Sequence, residues 1–169
     1  EHDLALTTRY KNSDIRNIAI ETIDDNYFVG KLGPLEVLMM SSNGYVNISK
    51  VCKACNKKVN HWKDNASSKE FMSALIKYDK TYLKRISERY AEKPAYLVEN
   101  NGLMITIRKG PNRFRGTYVY PKLAINVASW CSADYAILIS DVMIEYHSKQ
   151  AIEEKDLIIG KKDDKIDKL

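Results

Sequence analysis

The sequence predicts one α+β domain, and three observations carry that expectation. Apolar runs that fit strands, LEVLMM (35–40), AYLVE (95–99) and LMITIR (103–108), are bounded by Pro34, Asn101-Gly102 and other turn residues. Between them lie segments of helical period, such as Phe71, Leu75, Tyr78 and Tyr82 at i, i+4, i+7 and i+11. At 169 residues the chain is long enough to bury a hydrophobic core of its own.

Taken in order, residues 1–33 read as an N-terminal extension packing on the domain. Within it, IAIETI (18–23) and NYFVG (26–30) fit strands or a short helix. The domain proper is residues 34–147. LEVLMM opens it as a strand, and Ser42-Asn43-Gly44 turns the chain, because Asn-Gly accepts the positive φ of a type I′ turn. YVNI (45–48) is the returning strand. Ser49 is placed to cap the following helix and Asn56 to stop it. Over Lys57–Asn65, Val59 and Trp62 share one side while Lys57, Lys58, Asn60, His61 and Lys63 occupy the others. Ser67 and Glu70 have the spacing of a capping box that opens the helix with the aromatic stripe. Three short helices with small turns are compatible with a helix-turn-helix unit.

Lys93-Pro94 ends the helical region. Two turns, at Asn101-Gly102 and at the polar tip KGPNRFRG (109–116), then divide β-structure that finishes at TYVY (117–120). Pro121 suits the first position of a helix bearing Leu123, Val127 and Trp130. Ser132 is placed to cap a last helix with Ala136, Ile139, Met143 and Tyr146 inward. Residues 148–169 are a charged tail, either a linker or the start of a coiled coil through which two copies could pair. The chain begins at Glu1 instead of Met, as a fragment of a longer protein would.

Charge narrows the function classes. The formal net charge is +5, yet Lys50–Lys63 holds five lysines and no carboxylate, and Asn100–Ala133 holds five Lys/Arg and no carboxylate. The rest of the chain is therefore acidic, and two bare basic windows point to a polyanionic partner. No apolar run approaches the roughly 18–20 residues that span a bilayer, and no secretory leader is present. Three cysteines, an odd number, fit a reducing compartment. Cys52 and Cys55 form a CxxC, but a zinc site needs four ligands, so these are read as structural thiols. No phosphate loop, nucleophile elbow or HExxH is present. Asp64 with His61 is the best acid–base pair, and a solvated helix end accounts for it. The expectation is a non-enzyme with no metal and no cofactor.

Binding chemistry is concentrated in the two windows. In the first, Lys57, Lys58 and Lys63, with Lys53 just before them, can neutralise phosphates. Asn60 and His61 can address base edges from the same helix. In the second, Arg108, Lys109, Arg113 and Arg115 surround a Gly-Pro-Asn turn, with Phe114 either exposed or folded back on the core. Arginine forks suit phosphate or guanine, and such a hairpin tip can act as a wing. A basic helix with a basic β-wing is the footprint of a winged helix-turn-helix protein. Two other readings stay open: an RNA or single-strand binder with Phe114 and tyrosines as stacking platforms, and an adaptor for an acidic host protein.

The ordered set GYVNIS (44–49), VNHWKDN (59–65), SKEF (68–71) and GTYVYPKLAINVASW (116–130) resembles the KilA-N domain of large DNA viruses and phages, itself similar to the APSES DNA-binding domain. The resemblance covers about Pro34 to Tyr146. It implies a winged helix-turn-helix-like fold with an N-terminal β-hairpin, a helical core, a β-wing and two C-terminal helices. It further implies duplex-DNA binding without catalysis, in the host cytoplasm (a viral factory) or nucleus. Carried over, Lys57–Asn65 matches the recognition segment and Arg108–Arg115 the wing, while Val59, Trp62, Leu123, Val127 and Trp130 match core positions. Tyr120 departs from the histidine expected before the proline. Some members carry a RING module, and no RING-like Cys/His series occurs here.

Overall fold

Burial on both sides decides the sheet. In Leu35–Met40 (β3), Val37 and Met39 alternate with Leu38 and Met40, and all four are buried, as a strand covered on both faces requires. The computed structural model of the chain describes residues 19–148, apart from positions 24 and 33, together with residue 152. β3 stands in a seven-stranded sheet in which every pairing is antiparallel. The other strands are Ala19–Thr22 (β1), Tyr27–Leu32 (β2), Val46–Asn47 (β4), Tyr96–Glu99 (β5), Met104–Ile107 (β6) and Gly116–Val119 (β7). Their spatial order is β1-β2-β3-β4-β7-β6-β5. Of the two readings open for residues 19–30, strands are what form, and β2 pairs along β3 from Tyr27↔Met40 to Leu32↔Leu35.

The helices sort onto the two faces. On the first, Val37, Met39, Val46, Met104 and Val119 pack beneath Ile48–Ala54 (α1), Pro121–Cys131 (α5) and residues 133–148 (α6). On the second, Leu38, Met40, Ile105, Ile107 and Tyr118 pack beneath Ile86 and Tyr90 of Lys80–Tyr90 (α4). Val59–Asp64 (α2) and Ala66–Tyr78 (α3) add Trp62, Met72 and Leu75 to the first core, which Leu83 of α4 also reaches. The architecture is α+β, a helix–sheet–helix stack. Among the described residues no helix is long and apolar enough to cross a membrane.

Several local expectations are corrected, each by a distant partner or by competition among neighbours. After β3 only Gly44 takes a positive φ, +73°, so the type I′ pair is absent. Asn43 instead accepts from the Tyr45 N–H at 2.8 Å through its side-chain oxygen. The returning strand ends at Asn47, whose side chain caps α1 by accepting from the Lys50 N–H at 3.1 Å. Ser49, expected as that cap, accepts from the Thr117 N–H at 2.9 Å. α3 begins at Ala66, so Ser67 lies within it and the Ser67–Glu70 box does not form. A break at Asp79 divides the aromatic stripe: Ser68, Met72 and Leu75 are buried, whereas Tyr78 is 78% exposed.

Other expectations hold. Asn56 follows α1 with φ +56°, and Pro121 opens α5. Leu123 and Val127 are buried, with Trp130 half-buried beside them. In α6 the buried apolar residues are Tyr135, Leu138, Ile139 and Val142, with Ala136, Met143 and Tyr146 packed at their margin. Residues 1–18 and, apart from residue 152, the charged tail beyond Ser148 lie outside the described residues.

Two features of the core make predictions. Gly102 has φ +98°, and a Cβ there would sit 2.5 Å from the Leu83 carbonyl oxygen. Gly102→Ala combines left-handed strain with overlap against backbone, an expected loss of roughly 2–4 kcal/mol; an unchanged denaturation midpoint would show that α4 can move away from the turn. Tyr45 and Tyr118 are both fully buried, and desolvation is the main reason their phenols are pushed well above the usual 10.0. Both stay protonated in the fold at pH values where the unfolded chain ionises them. Stability is therefore whole below about pH 10 and falls as pH rises, by about 1.4 kcal/mol per unit for each group. Urea midpoints that stay level from pH 9 to 11.5 would contradict this.

Candidate nucleic-acid interface

The Arg108–Arg115 loop is fastened to the start of α1. The Asn47 amide that caps α1 also donates to the Arg115 carbonyl at 3.1 Å. Ser49 holds the Thr117 N–H, and Gly116, at φ +133°, leaves room for Asn47 and Ser49 where a Cβ would lie about 3.0 Å from both. Within the loop, Arg115 Nε donates to the Gly110 carbonyl at 2.9 Å. Phe114 is folded back, stacked on Tyr27 with centroids 4.3 Å apart and planes 5° from parallel. Tyr118 Oη donates to its carbonyl at 2.8 Å. Arg108 and Lys109 are exposed, and Arg113 lies 3.9 Å from Glu36.

α2 is anchored by one aromatic. Trp62 is 1% exposed, and its Nε1–H donates to Asn126 Oδ1 at 3.0 Å, tying α2 to α5. With Trp62 inward, Lys58, Asn60 and His61 are left in solvent. Lys57 is exposed but engaged: its Nζ donates to the Trp130 carbonyl at 2.7 Å and sits 4.6 Å above the Trp130 ring. Lys63 pairs with Glu99 at 3.3 Å. Lys53 projects from the last turn of α1, and Lys50, not singled out from the sequence, projects one turn earlier.

The two basic stretches touch opposite ends of β6. Glu99, which holds Lys63, pairs with Met104, whereas Ile107 pairs with Gly116 at the end where the loop begins. The four residues of β6 put these ends roughly 10 Å apart. α1 links them, because its start touches the loop and its end leads to Lys57. Arg108 and Lys109 on the loop, Lys50 and Lys53 on α1 and Lys58 beyond it are all exposed. None of these five makes an ion pair with a described residue. Lys50 could have been found from its i, i+3 spacing to Lys53; the Lys63–Glu99 pair, 36 residues apart, could not.

The thiols belong to packing. Cys52 is buried with its Sγ 3.4 Å from Cys131 Sγ, and all three cysteines are free. Burial, reinforced by Cys131, pushes the Cys52 thiol up to about 12. Native protein should therefore leave Cys52 unlabelled by iodoacetamide at pH 8, and rapid labelling would remove it from the core. Among the described residues no group of three or more His, Cys, Asp or Glu could hold a metal ion.

The class of the molecule is an α+β domain, an antiparallel sheet flanked by helices and carrying a basic loop, and sequence comparison places it further. The KilA-N domain matches residues 30–149. The chain is 41% identical over 160 residues to the KilA-N domain-containing protein L4 of Acanthamoeba polyphaga mimivirus, covering 94% of this chain and 32% of that protein. To protein R904 of the same virus, named for the same domain, it is 34% identical, covering 89% of this chain and 40% of the relative. To the uncharacterized protein FPV236 of fowlpox virus (strain NVSL) it is 29% identical, covering 87% and 47%. The chain belongs to the KilA-N domain family. It spans about a third of the length of the mimivirus relatives it matches. No solved structure matches it.

Proposed function

We propose that this chain is a duplex-DNA-binding module that grips phosphates mainly, without catalysis. In this reading α1 and α2 act as a helix-turn-helix pair and Arg108–Arg115 as the wing. The observation that carries it is Asn47, one side chain that caps α1 and holds the Arg115 carbonyl. It makes loop and helix one rigid unit, so the unpaired cations are preorganised and lose little entropy on binding. Asn60 and His61, exposed beside Trp62, are the side chains that read base edges. Membership of the KilA-N family supports the same assignment.

The division of labour differs from a simple count of cations. Arg115 holds the loop through Gly110, and Lys63 is neutralised by Glu99, so both position more than they bind. Arg108, Lys109, Lys53 and Lys58 are the main phosphate contacts, with Lys57 and Arg113 beside them. The stacking role that would favour single strands loses Phe114, whose ring faces Tyr27. The binding unit is residues 34–147; residues 148–169 serve as a linker or a self-pairing segment. Arg108→Gln with Lys109→Gln should weaken binding to all duplexes alike and reduce the log–log salt slope by about 2. Unchanged affinity would remove the wing from the interface.

A further inference from the structure

The turn after β3, the first turns of α4 and α5, and the end of α6 enclose a cavity of about 520 Å³. Small-molecule sites run from roughly 300 to 1,000 Å³. Three tyrosines wall this one, Tyr82, Tyr120 and Tyr146, with Met143 beside them. Among the described residues that line it there is no carboxylate, and none comes from α1, α2 or the Arg108–Arg115 loop.

Two of the walls are fixed through their hydroxyls. Tyr146 Oη donates to the Ser41 carbonyl at 2.8 Å, and its ring stacks on Phe28 with centroids 5.2 Å apart. Gly44, at φ +73°, lets that ring lie against the turn, since a Cβ there would stand 3.1 Å from it. Tyr120 Oη donates to Asp79 at 2.9 Å, and its ring meets Tyr45 edge-on at 5.9 Å. Both hydroxyls are thus engaged elsewhere, which leaves ring surface for the cavity. Tyr82, 38% exposed and 5.7 Å from the Tyr120 ring, is the wall nearest solvent. Polar groups are few. Ser42 Oγ and Asn43 Nδ2 are both held on Tyr90 Oη, at 3.1 and 3.4 Å, and the Tyr45 N–H holds Asn43 Oδ1 at 2.8 Å. The buried Asn43 amide keeps a second hydrogen for a ligand. Lys122 and His147 line the cavity from exposed positions. Asp79, which is not part of the lining, takes only one of the three Lys122 hydrogens, at 3.0 Å.

We propose that this cavity binds a free nucleotide, with the base among the tyrosines and the phosphate at Lys122 and His147. Aromatic walls already held in place favour a planar ring, because stacking then costs little ordering. The fixed edge of Ser42 and Asn43 suits a base, whose ring heteroatoms satisfy polar groups that a plain hydrocarbon ring would leave unpaired. Lys122, with no carboxylate beside it in the lining, favours an anionic tail over a cationic one. The inference does not depend on duplex binding. Gly116 begins β7 beside the Arg108–Arg115 loop, whereas Tyr120 follows the strand's other end.

The test titrates the whole chain with each of the four ribonucleoside monophosphates and follows its amide resonances. At least one should bind saturably, with a Kd on the order of 10–100 μM, and shift the Ser42, Asn43 and Lys122 amides. Tyr82→Ala is expected to weaken it roughly tenfold and Tyr82→Phe to stay within about twofold of wild type, because the ring stacks and the hydroxyl does not. An amide spectrum otherwise unchanged shows that the alanine variant is folded. Lys122→Gln, at the surface, gives a second reading: it should weaken the monophosphate by roughly three- to tenfold and leave the matching nucleoside unchanged. No saturable binding of any monophosphate up to about 1 mM overturns the inference. So does inorganic phosphate that shifts the same amides with equal affinity, which marks a bare anion contact. Equal losses in Tyr82→Phe and Tyr82→Ala remove stacking, and the inference with it. A single-stranded oligonucleotide held through Tyr82 more tightly than any monophosphate would assign the cavity to an unpaired base in a strand, and the free-nucleotide reading falls.

Discussion

Trp62→Ala is expected to lower stability by about 3–5 kcal/mol, a large part of the margin of a domain this size. The indole is 1% exposed within the main core, beside Cys52, Leu75 and Val127 in the same cluster. Its loss leaves a cavity where α2, α3 and α5 come together and strands Asn126 Oδ1, which accepts the indole N–H at 3.0 Å. Trp62→Phe separates the two effects. It keeps much of the ring volume and removes the N–H donor, so about 1–3 kcal/mol should go. Urea denaturation of the three proteins measures both steps. A Trp62→Ala domain of wild-type stability would mean that α2 is not anchored through this residue, and the exposure of Asn60 and His61 would lose its cause.

The second large effect concerns binding and leaves the fold intact. Replacing Lys53, Lys58, Arg108 and Lys109 together by glutamine is expected to weaken duplex binding on the order of a hundredfold at low salt and to reduce the salt slope by about 3–4. All four are exposed and none makes an ion pair with a described residue, so the unfolding midpoint should stay near the wild-type value. Lys63→Gln alone is a useful contrast, because Glu99 already holds that lysine. Equal losses from the quadruple variant and from Lys63→Gln would contradict the division between binding and positioning cations.

What the sequence made legible was local chemistry with one strong determinant. Pro121 opens α5, Asn56 follows α1 in the left-handed region, and Trp62 and Val59 share the inner side of α2. The apolar run LEVLMM foretold a strand, although not that both of its faces would be covered. Caps were harder, because Asn47, Ser49, Asn65 and Ser67 all carry suitable chemistry. Tertiary pairing chose among the first two: β4 runs on to Asn47 opposite Tyr118, which starts α1 there and leaves Ser49 for Thr117. The break at Asp79 has no Pro or Gly to announce it. Its carboxylate reaches Tyr120 and Lys122, more than 40 residues away.

The site was legible to the same degree. Both basic windows are visible as charge without carboxylates, and the loop and helix residues they name are mostly exposed. Which cations are free was not legible, since Glu99, Trp130, Gly110 and Glu36 are brought to Lys63, Lys57, Arg115 and Arg113 only by folding. Phe114 likewise needed Tyr27, 87 positions earlier, to resolve its two readings.

One titration bears most directly on the assignment of phosphate-led duplex binding. Affinity of the whole chain for a random-sequence duplex, measured from low to physiological salt, should fall with a log–log slope of roughly −5 to −7, as about 5–8 phosphate contacts require. Affinity that does not change with salt, or no saturable binding to duplex at all, would contradict it.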